Sequence, residues 1–160
     1  MSEGKPAAMV NDPLTPITIP EQVSATQGIA ELPATRLGYW DTGGNGTPVV
    51  FLHPASGSAL IWLYQQPVFA QAGYRVIGYS RRNYYNSDLA PADNPGIASV
   101  DLHNLSEFLG VKKFHAVSSA AGGSVAADYA WNFFTPRNSI KLCKSPEAIP
   151  GLSAGARSEL

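Results

Sequence analysis

The sequence predicts an α/β fold in which a mostly parallel sheet is flanked by helices. Short apolar runs such as residues 49–52 are typical of strands that are buried on both faces of a sheet. These runs alternate with helical patterns, of which residues 99–109 form the clearest. A segment of small residues, 116–126, joins one apolar run to a helix. Strands that alternate with helices imply crossover connections and a parallel sheet.

The elements follow one another along the chain in a regular order. The strands are predicted at residues 28–32, 35–41, 49–52, 76–79 and 113–117, and the helices at residues 59–72, 99–109 and 125–134. Gly73 and Gly110 are predicted to end the first two helices, because glycine readily adopts the left-handed conformation found there. Pro67 predicts a kink in the first helix, and Ser99 is predicted to cap the second.

The 160 residues are enough for one domain with a single core. Residues 1–22 are rich in proline, threonine and small residues and predict a flexible or surface-draped N-terminal arm. Residues 23–145 are predicted to form the core, in which 136–143 would be a degenerate sixth strand. Residues 146–160 have no sustained period and are expected to form a divergent C-terminal tail.

Composition excludes several classes of function. The net charge of −1 leaves no electrostatic footprint for nucleic acid or an anionic membrane. Cys143 is the single cysteine, which excludes an intrachain disulfide framework. No apolar run is long enough to span a bilayer, and the N-terminus has no apolar core of a secretory signal, so a cytoplasmic location is expected. His53, His103 and His115 do not have a metal-binding spacing, and no metal or cofactor is expected.

The segment Ser118-Ser119-Ala120-Ala121-Gly122 has the spacing of a nucleophile elbow, G-x-S-x-G, in which a strained strand-to-helix turn presents a serine. In this register Ala120 takes the place of the serine, and its methyl group can neither attack a carbonyl nor be activated by a base. The amide of Ala121 would face a developing oxyanion. Ser119 is the alternative nucleophile, although a shift of one residue turns a side chain to the other face. An ordinary strand–helix junction packed with small residues would explain the same segment.

Two further segments support the elbow. His53-Pro54 follows the strand at residues 49–52, and the polar loop at residues 80–88 follows the next strand. With the hairpin strand at residues 37–44 and the elbow, they resemble the N-terminal half of the α/β-hydrolases. His53-Pro54 looks like the family's His-Gly, with proline in place of glycine, and the loop is similar to its D-x-R-G-x-G-x-S-D motif. The departures within that loop are Ser80, Asn83 and Tyr85.

The resemblance covers about residues 25 to 130 and implies an incomplete, truncated α/β-hydrolase fold related to enzymes that cleave esters, epoxides, halides or C–C bonds. It implies no cofactor, and it assigns the oxyanion amides to Ala55 and Ala121. His53, Tyr84 and Tyr85 are expected to border the substrate, with a mostly structural role for His53. The family's acid and histidine have no room in this length. The chain is therefore predicted to be an inactive or impaired serine-hydrolase-type enzyme, a pseudoenzyme.

Other readings of the chain remain open at this point. A non-catalytic protein that binds a small apolar or ester-like ligand on the same scaffold is one alternative, and non-hydrolytic chemistry in the oxyanion hole is another. A different doubly wound domain, such as a flavodoxin-like one, is the third. An open sheet edge favours self-association or a complementing chain. Of the remaining polar residues, His103 is expected to face solvent, His115 to be packed in its strand, and Asp88 and Asp101 to be either caps or site residues.

Overall fold

A mixed five-stranded sheet organises residues 18–134, the part of the chain that the computed structural model describes. The strands are β1 (Thr26–Leu32), β2 (Thr35–Asp41), β3 (Pro48–Leu52), β4 (Arg75–Tyr79) and β5 (His115–Ser118). The α-helices are α1 (Gln65–Gln71), α2 (Ala98–Phe108) and α3 (Ala121–Tyr129). A 3₁₀ turn, Ala59–Trp62, precedes α1, and a π-helical turn, Ala130–Phe134, continues α3.

The strand order is β1-β2-β4-β3-β5. β1 pairs with β2 and β2 pairs with β4 in antiparallel fashion, whereas β3 lies parallel to both β4 and β5. The predicted α/β class is confirmed. The sheet is mixed, because the antiparallel hairpin of β1 and β2 extends the parallel strands β4, β3 and β5.

Both faces of β3 are buried, because its side chains alternate between two hydrophobic clusters. Val50 and Leu52 face the cluster covered by α2 and α3, whereas Val49 and Phe51 face the cluster covered by the 3₁₀ turn and α1. Each of these four side chains is at most 3% exposed. This burial accounts for the continuous apolar run at residues 49–52.

The helix predicted at residues 59–72 is divided, but not at Pro67. The break lies at Leu63 and Tyr64, between the 3₁₀ turn and α1. Pro67 is the third residue of α1, where a backbone N–H would have no acceptor within the helix, so its missing N–H costs nothing there. Gly73 ends the helix with φ +89°, as predicted, and its N–H donates to the carbonyl of Ala70.

The prediction that Ser99 caps the second helix is wrong. Ile97 is the N-cap of α2, and Ser99 lies inside the first turn, 1% exposed, where its hydroxyl donates to the carboxylate of Asp128 on α3. The hydroxyl therefore joins two helices instead of satisfying its own helix terminus. Gly110 follows the end of α2 with φ +66°, as predicted.

The N-terminal segment is attached to the body from residue 22 onward. Gln22 donates to the carbonyl of Leu63 at 2.8 Å, and the backbone N–H of Val23 donates to the side chain of Gln66 at 3.0 Å. Most of the predicted arm, the predicted sixth strand and the predicted tail lie outside the described residues. None of the helices in the described part is long and apolar enough to cross a membrane.

Candidate functional site

The carboxyl ends of β3 and β5 border the crevice in which open α/β sheets bind their ligands. The chain leaves β3 toward α1 on one face of the sheet and leaves β5 into α3 on the other face. Ligands of open α/β sheets bind where consecutive connections diverge in this way. The turn that begins at His53 forms one wall of the crevice, and the junction between β5 and α3 forms the other.

The junction between β5 and α3 is a strained turn centred on Ala120. This residue has φ 46° and ψ −116°, a conformation that a residue with a Cβ atom rarely adopts. The N–H of Gly122 donates to the carbonyl of Ser119 at 2.9 Å, and that of Gly123 donates to the carbonyl of Ala120 at 2.8 Å. Such a sharp strand-to-helix turn is the backbone geometry of a nucleophile elbow. The strained position falls on Ala120 and not on Ser119, which does not have a positive φ.

Gly122 allows the turn to approach the sheet. A Cβ atom on Gly122 would lie 2.1 Å from the carbonyl oxygen of Leu52 and 3.1 Å from that of His53. The same Leu52 oxygen accepts the N–H of Ser119 at 3.1 Å. The start of α3 is therefore pressed against the end of β3, and this contact requires glycine at position 122.

His53 begins the turn on the other side of the crevice and is fully buried. Its Nδ1 lies 2.7 Å from the carbonyl oxygen of Pro54, and its Nε2 lies 3.0 Å from the backbone nitrogen of Arg81. Because the Arg81 N–H can only donate, Nε2 accepts and Nδ1 carries the proton. Burial lowers the pKa of His53 below its usual 6.5, the hydrogen bond to Pro54 opposes this, and the charge of Arg81 lowers the pKa further. The ring is therefore a neutral structural element with both nitrogens engaged.

This arrangement of His53 fixes the direction of the next peptide bond. The carbonyl oxygen of Pro54 is held by His53 Nδ1 and also accepts the N–H of Gly57 at 3.3 Å. Since the peptide is planar and trans, the N–H of Ala55 points away from that oxygen. Within the described residues, neither this N–H nor that of Ala121, the first residue of α3, donates to a protein acceptor. Both amides are thus without an acceptor in the described part of the chain.

The two tyrosines expected near the substrate are placed differently. The ring of Tyr84 is half-buried and meets the ring of His53 edge-on, with centroids 4.6 Å apart. Tyr85 is 63% exposed, and no ring contact places it beside His53. Trp62 is 6% exposed and stacks on Phe51 at 4.8 Å, so it belongs to the core.

The other two histidines lie away from the crevice, and both expectations about them are wrong. His103 does not face solvent: its ring stacks on that of Phe133 with centroids 4.3 Å apart and an interplanar angle of 13°. His115 is not packed but exposed, because it begins β5, which pairs on one side only in the described part of the chain. No group of three or more potential metal ligands occurs among residues 18–134.

Asp88 and Asp101 each pair with an arginine. Asp88 lies 3.0 Å from Arg36, whose hydrogen bonds lower the pKa of this exposed carboxyl group. Asp101 pairs with Arg82 through two hydrogen bonds of 2.7 and 2.8 Å, and both side chains are about 8% exposed. The two ion pairs hold the loop at residues 80–88 to β2 and α2.

Arg81 is a polar residue of the site that the sequence did not single out. Its Nη2 donates to the carbonyl of His53 at 3.1 Å, and its Cζ lies 5.1 Å from the centre of the Tyr84 ring. The pair Arg81-Arg82 suggested only solvated or structural charges. The available signal was position: Arg81 comes two residues after the end of β4, at the edge of the sheet where β3 and β5 also end.

No family model matches the chain. Solved structures do match it, with TM-scores near 0.6. An epoxide hydrolase from an endophytic Streptomyces is 25% identical with a TM-score of 0.62, over 68% of this chain and 33% of that one. Epoxide Hydrolase A from Mycobacterium thermoresistibile is 26% identical with a TM-score of 0.59, over 67% and 35%. A proposed alpha/beta hydrolase from Nostoc sp PCC 7120 is 24% identical with a TM-score of 0.60, over 67% and 38%. The chain thus spans little more than a third of the length of these proteins.

Proposed function

Because residues 18–134 have the α/β-hydrolase fold of the solved structures they match, we propose that this chain binds an ester-like or other carbonyl ligand and does not form a covalent intermediate with it. Ala120 is the observation that carries the proposal. It holds the strained turn between β5 and α3, and its side chain is a methyl group. A site of this fold that lacks a nucleophile at the turn keeps its binding half and loses acyl transfer.

The binding half consists of the amides of Ala55 and Ala121. Both are free of protein acceptors in the described part of the chain, and they lie in the turn after β3 and at the start of α3. Backbone N–H groups that converge on a carbonyl oxygen polarise it, and in enzymes each such donor stabilises a transition state by about 3–4 kcal/mol. Without a nucleophile the same donors select a carbonyl group by hydrogen bonding alone.

Hydrolysis is the second candidate function. The matched epoxide hydrolases favour it, and Ser119 is the hydroxyl-bearing residue next to the strained turn. Its backbone N–H is engaged by Leu52, and the turn that would expose a nucleophile is centred one residue later. These features favour the binding function over hydrolysis.

The experiment combines p-nitrophenyl butyrate with the purified chain and with the variants Ala120→Ser and Ser119→Ala. We expect no release of p-nitrophenolate above the buffer rate from the unaltered chain, and no butyryl adduct in its intact mass. We also expect the unaltered chain to bind methyl 4-acetylbenzoate, a neutral compound with a ketone and an ester carbonyl, saturably. A butyryl adduct on the unaltered chain that disappears in Ser119→Ala would establish hydrolysis and reject the binding proposal.

A cytoplasmic location stays a prediction, as does a partner at the edge of the sheet. In the described part of the chain β5 pairs with β3 alone, and His115, Ala116 and Ser118 are exposed along it. Self-association or a complementing chain would cover this edge. Sedimentation of the purified chain over a range of concentrations tests self-association directly.

A further inference from the structure

Arg81 differs from every other arginine in the described part of the chain, because no carboxylate pairs with it. The other three each have an acidic partner: Arg36 with Asp88, Arg75 with Asp41 and Arg82 with Asp101. Arg81 is only partly exposed. A partly buried guanidinium without a counter-charge favours binding of an anion from outside the protein.

The structure holds this guanidinium in one place without neutralising it. Nη2 donates to the carbonyl of His53 at 3.1 Å, and the head group lies over the Tyr84 ring at 5.1 Å. Nε is buried with no hydrogen-bond partner. Nη1 has no partner among the described residues either, and unlike Nε it is not sealed from solvent. Nη1 and the second N–H of Nη2 therefore have no acceptor among the described residues.

The guanidinium borders the crevice. The carbonyl oxygen of His53 lies 3.1 Å from Arg81 Nη2 and also 3.1 Å from the position that a Cβ would take on Gly122. The carbonyl oxygen of His53 is thus close both to the arginine and to the first turn of α3. Ala121, whose amide has no acceptor among the described residues, is the neighbour of Gly122. The guanidinium thus contacts the carbonyl of His53, two residues before Ala55, and the same carbonyl lies close to Gly122, the neighbour of Ala121.

We propose that Arg81, supported by Tyr84, forms a subsite for a carboxylate carried by the same ligand that presents its carbonyl to Ala55 and Ala121. This inference rests on the proposed function and names its substrate class, a carbonyl compound with a carboxylate. A carboxylate matches the single charge and the parallel N–H groups of one guanidinium, whereas a phosphate dianion requires further donors or charges that the described residues do not place there. Tyr84 keeps the head group in position through its ring face.

The test measures, by isothermal titration calorimetry on the full chain, the binding of 4-acetylbenzoate and of its methyl ester. The two probes share the ketone and differ in the carboxylate. We expect the acid to bind more tightly than the ester. Arg81→Gln should weaken the acid about ten- to hundred-fold and leave the ester unchanged, since a charge-assisted hydrogen bond contributes to this extent. Arg81→Lys should fall in between, because it keeps the charge and loses the fork.

Lys112→Gln is the matched control. It removes one positive charge from an exposed residue near the end of α2 and should change neither affinity. The far-ultraviolet circular dichroism and the melting temperature of Arg81→Gln verify that it is folded, and unchanged binding of the ester provides a second check.

The outcomes separate this proposal from the proposed function. An acid that binds no more tightly than its ester, or that binds Arg81→Gln as well as the unaltered chain, overturns the carboxylate subsite. If the ester binds in those experiments, the carbonyl site stands without it. If the acid binds in an Arg81-dependent way and the ester does not bind, Arg81 binds a carboxylate, but the carbonyl site and the ligand shared between the two sites are rejected.

Discussion

The carbonyl oxygen of Leu52 lies 2.1 Å from the position that a Cβ atom would take on Gly122, and 3.1 Å from the backbone nitrogen of Ser119. The end of β3 is thus joined to the start of α3 by the hydrogen bond from Ser119. It also lies so close to Gly122 that no side chain larger than a hydrogen atom fits at that position. This relationship sets how closely the two walls of the crevice approach.

Gly122→Ala is expected to lower the free energy of unfolding by about 1–3 kcal/mol, because the added methyl group meets backbone atoms that cannot rotate away. Gly123→Ala is the matched control. Its Cβ would meet only the hydroxyl of Ser118, at 3.8 Å, so the helix should gain about 0.5–1 kcal/mol. Urea denaturation of both variants measures the difference. Equal effects of the two substitutions would contradict the close approach at Gly122.

Ala120→Gly is expected to stabilise the protein by about 0.5–1 kcal/mol. The left-handed φ of 46° costs alanine about 1–3 kcal/mol, and glycine avoids this cost while losing some chain entropy on folding. Ala127→Gly, an exposed site within α3, should instead destabilise by about 1 kcal/mol. Opposite shifts in melting temperature are the expected result, and a loss of stability in both variants would argue against strain at Ala120.

Asp101→Asn is expected to destabilise by about 3–5 kcal/mol, since it leaves the charge of Arg82 in a site where both side chains are only 8% exposed. Arg36→Gln breaks the ion pair with Asp88, whose side chains are 59% and 33% exposed, and should cost no more than about 1 kcal/mol. Chemical denaturation at low and high salt distinguishes the contributions of the two ion pairs. Only the Arg36–Asp88 pair should weaken appreciably as salt is raised.

The stability of the protein should fall as the pH is lowered below about 6.5, in part because of His53. Its pKa is lower in the folded protein than in the unfolded chain, so between the two pKa values the unfolded state binds a proton that the folded state does not. The loss is at most about 1.4 kcal/mol per pH unit for one histidine.

Denaturation series between pH 5 and pH 8 test this dependence. His53→Gln should have a shallower slope than the unaltered chain, whatever its absolute stability. Identical slopes in the unaltered chain and in His53→Gln would contradict a lowered pKa at His53.

The strands could be predicted from the sequence because their signals are local. The run at residues 49–52 is apolar on both faces and is followed by a polar turn, and residues 35–41 form a strand with the predicted bounds. Helix ends marked by glycine at positions 73 and 110 were predictable for the same reason. The strained turn also falls on Ala120, the residue that the spacing to Gly122 indicates.

The remaining features depend on contacts between distant parts of the chain. Ser99 looks like a helix cap until Asp128 from α3 accepts its hydroxyl, and His103 looks exposed until Phe133 stacks on its ring. Arg81 could not be distinguished from Arg82 by sequence, since the difference is that Asp101 pairs with one and not with the other. Such pairings are determined by the tertiary fold and not by the residues that are adjacent in sequence.

The parallel pairing of β3 with β5 has a consequence for the order of folding. β1 and β2 form a hairpin of neighbouring segments, whereas Val49 pairs with His115 across the whole length of α1, β4 and α2. Long-range contacts of this kind form slowly, because the loop between them must be closed first. We therefore expect the hairpin to form early and the two walls of the crevice to meet late. During synthesis, the crevice can form only after α3 has left the ribosome.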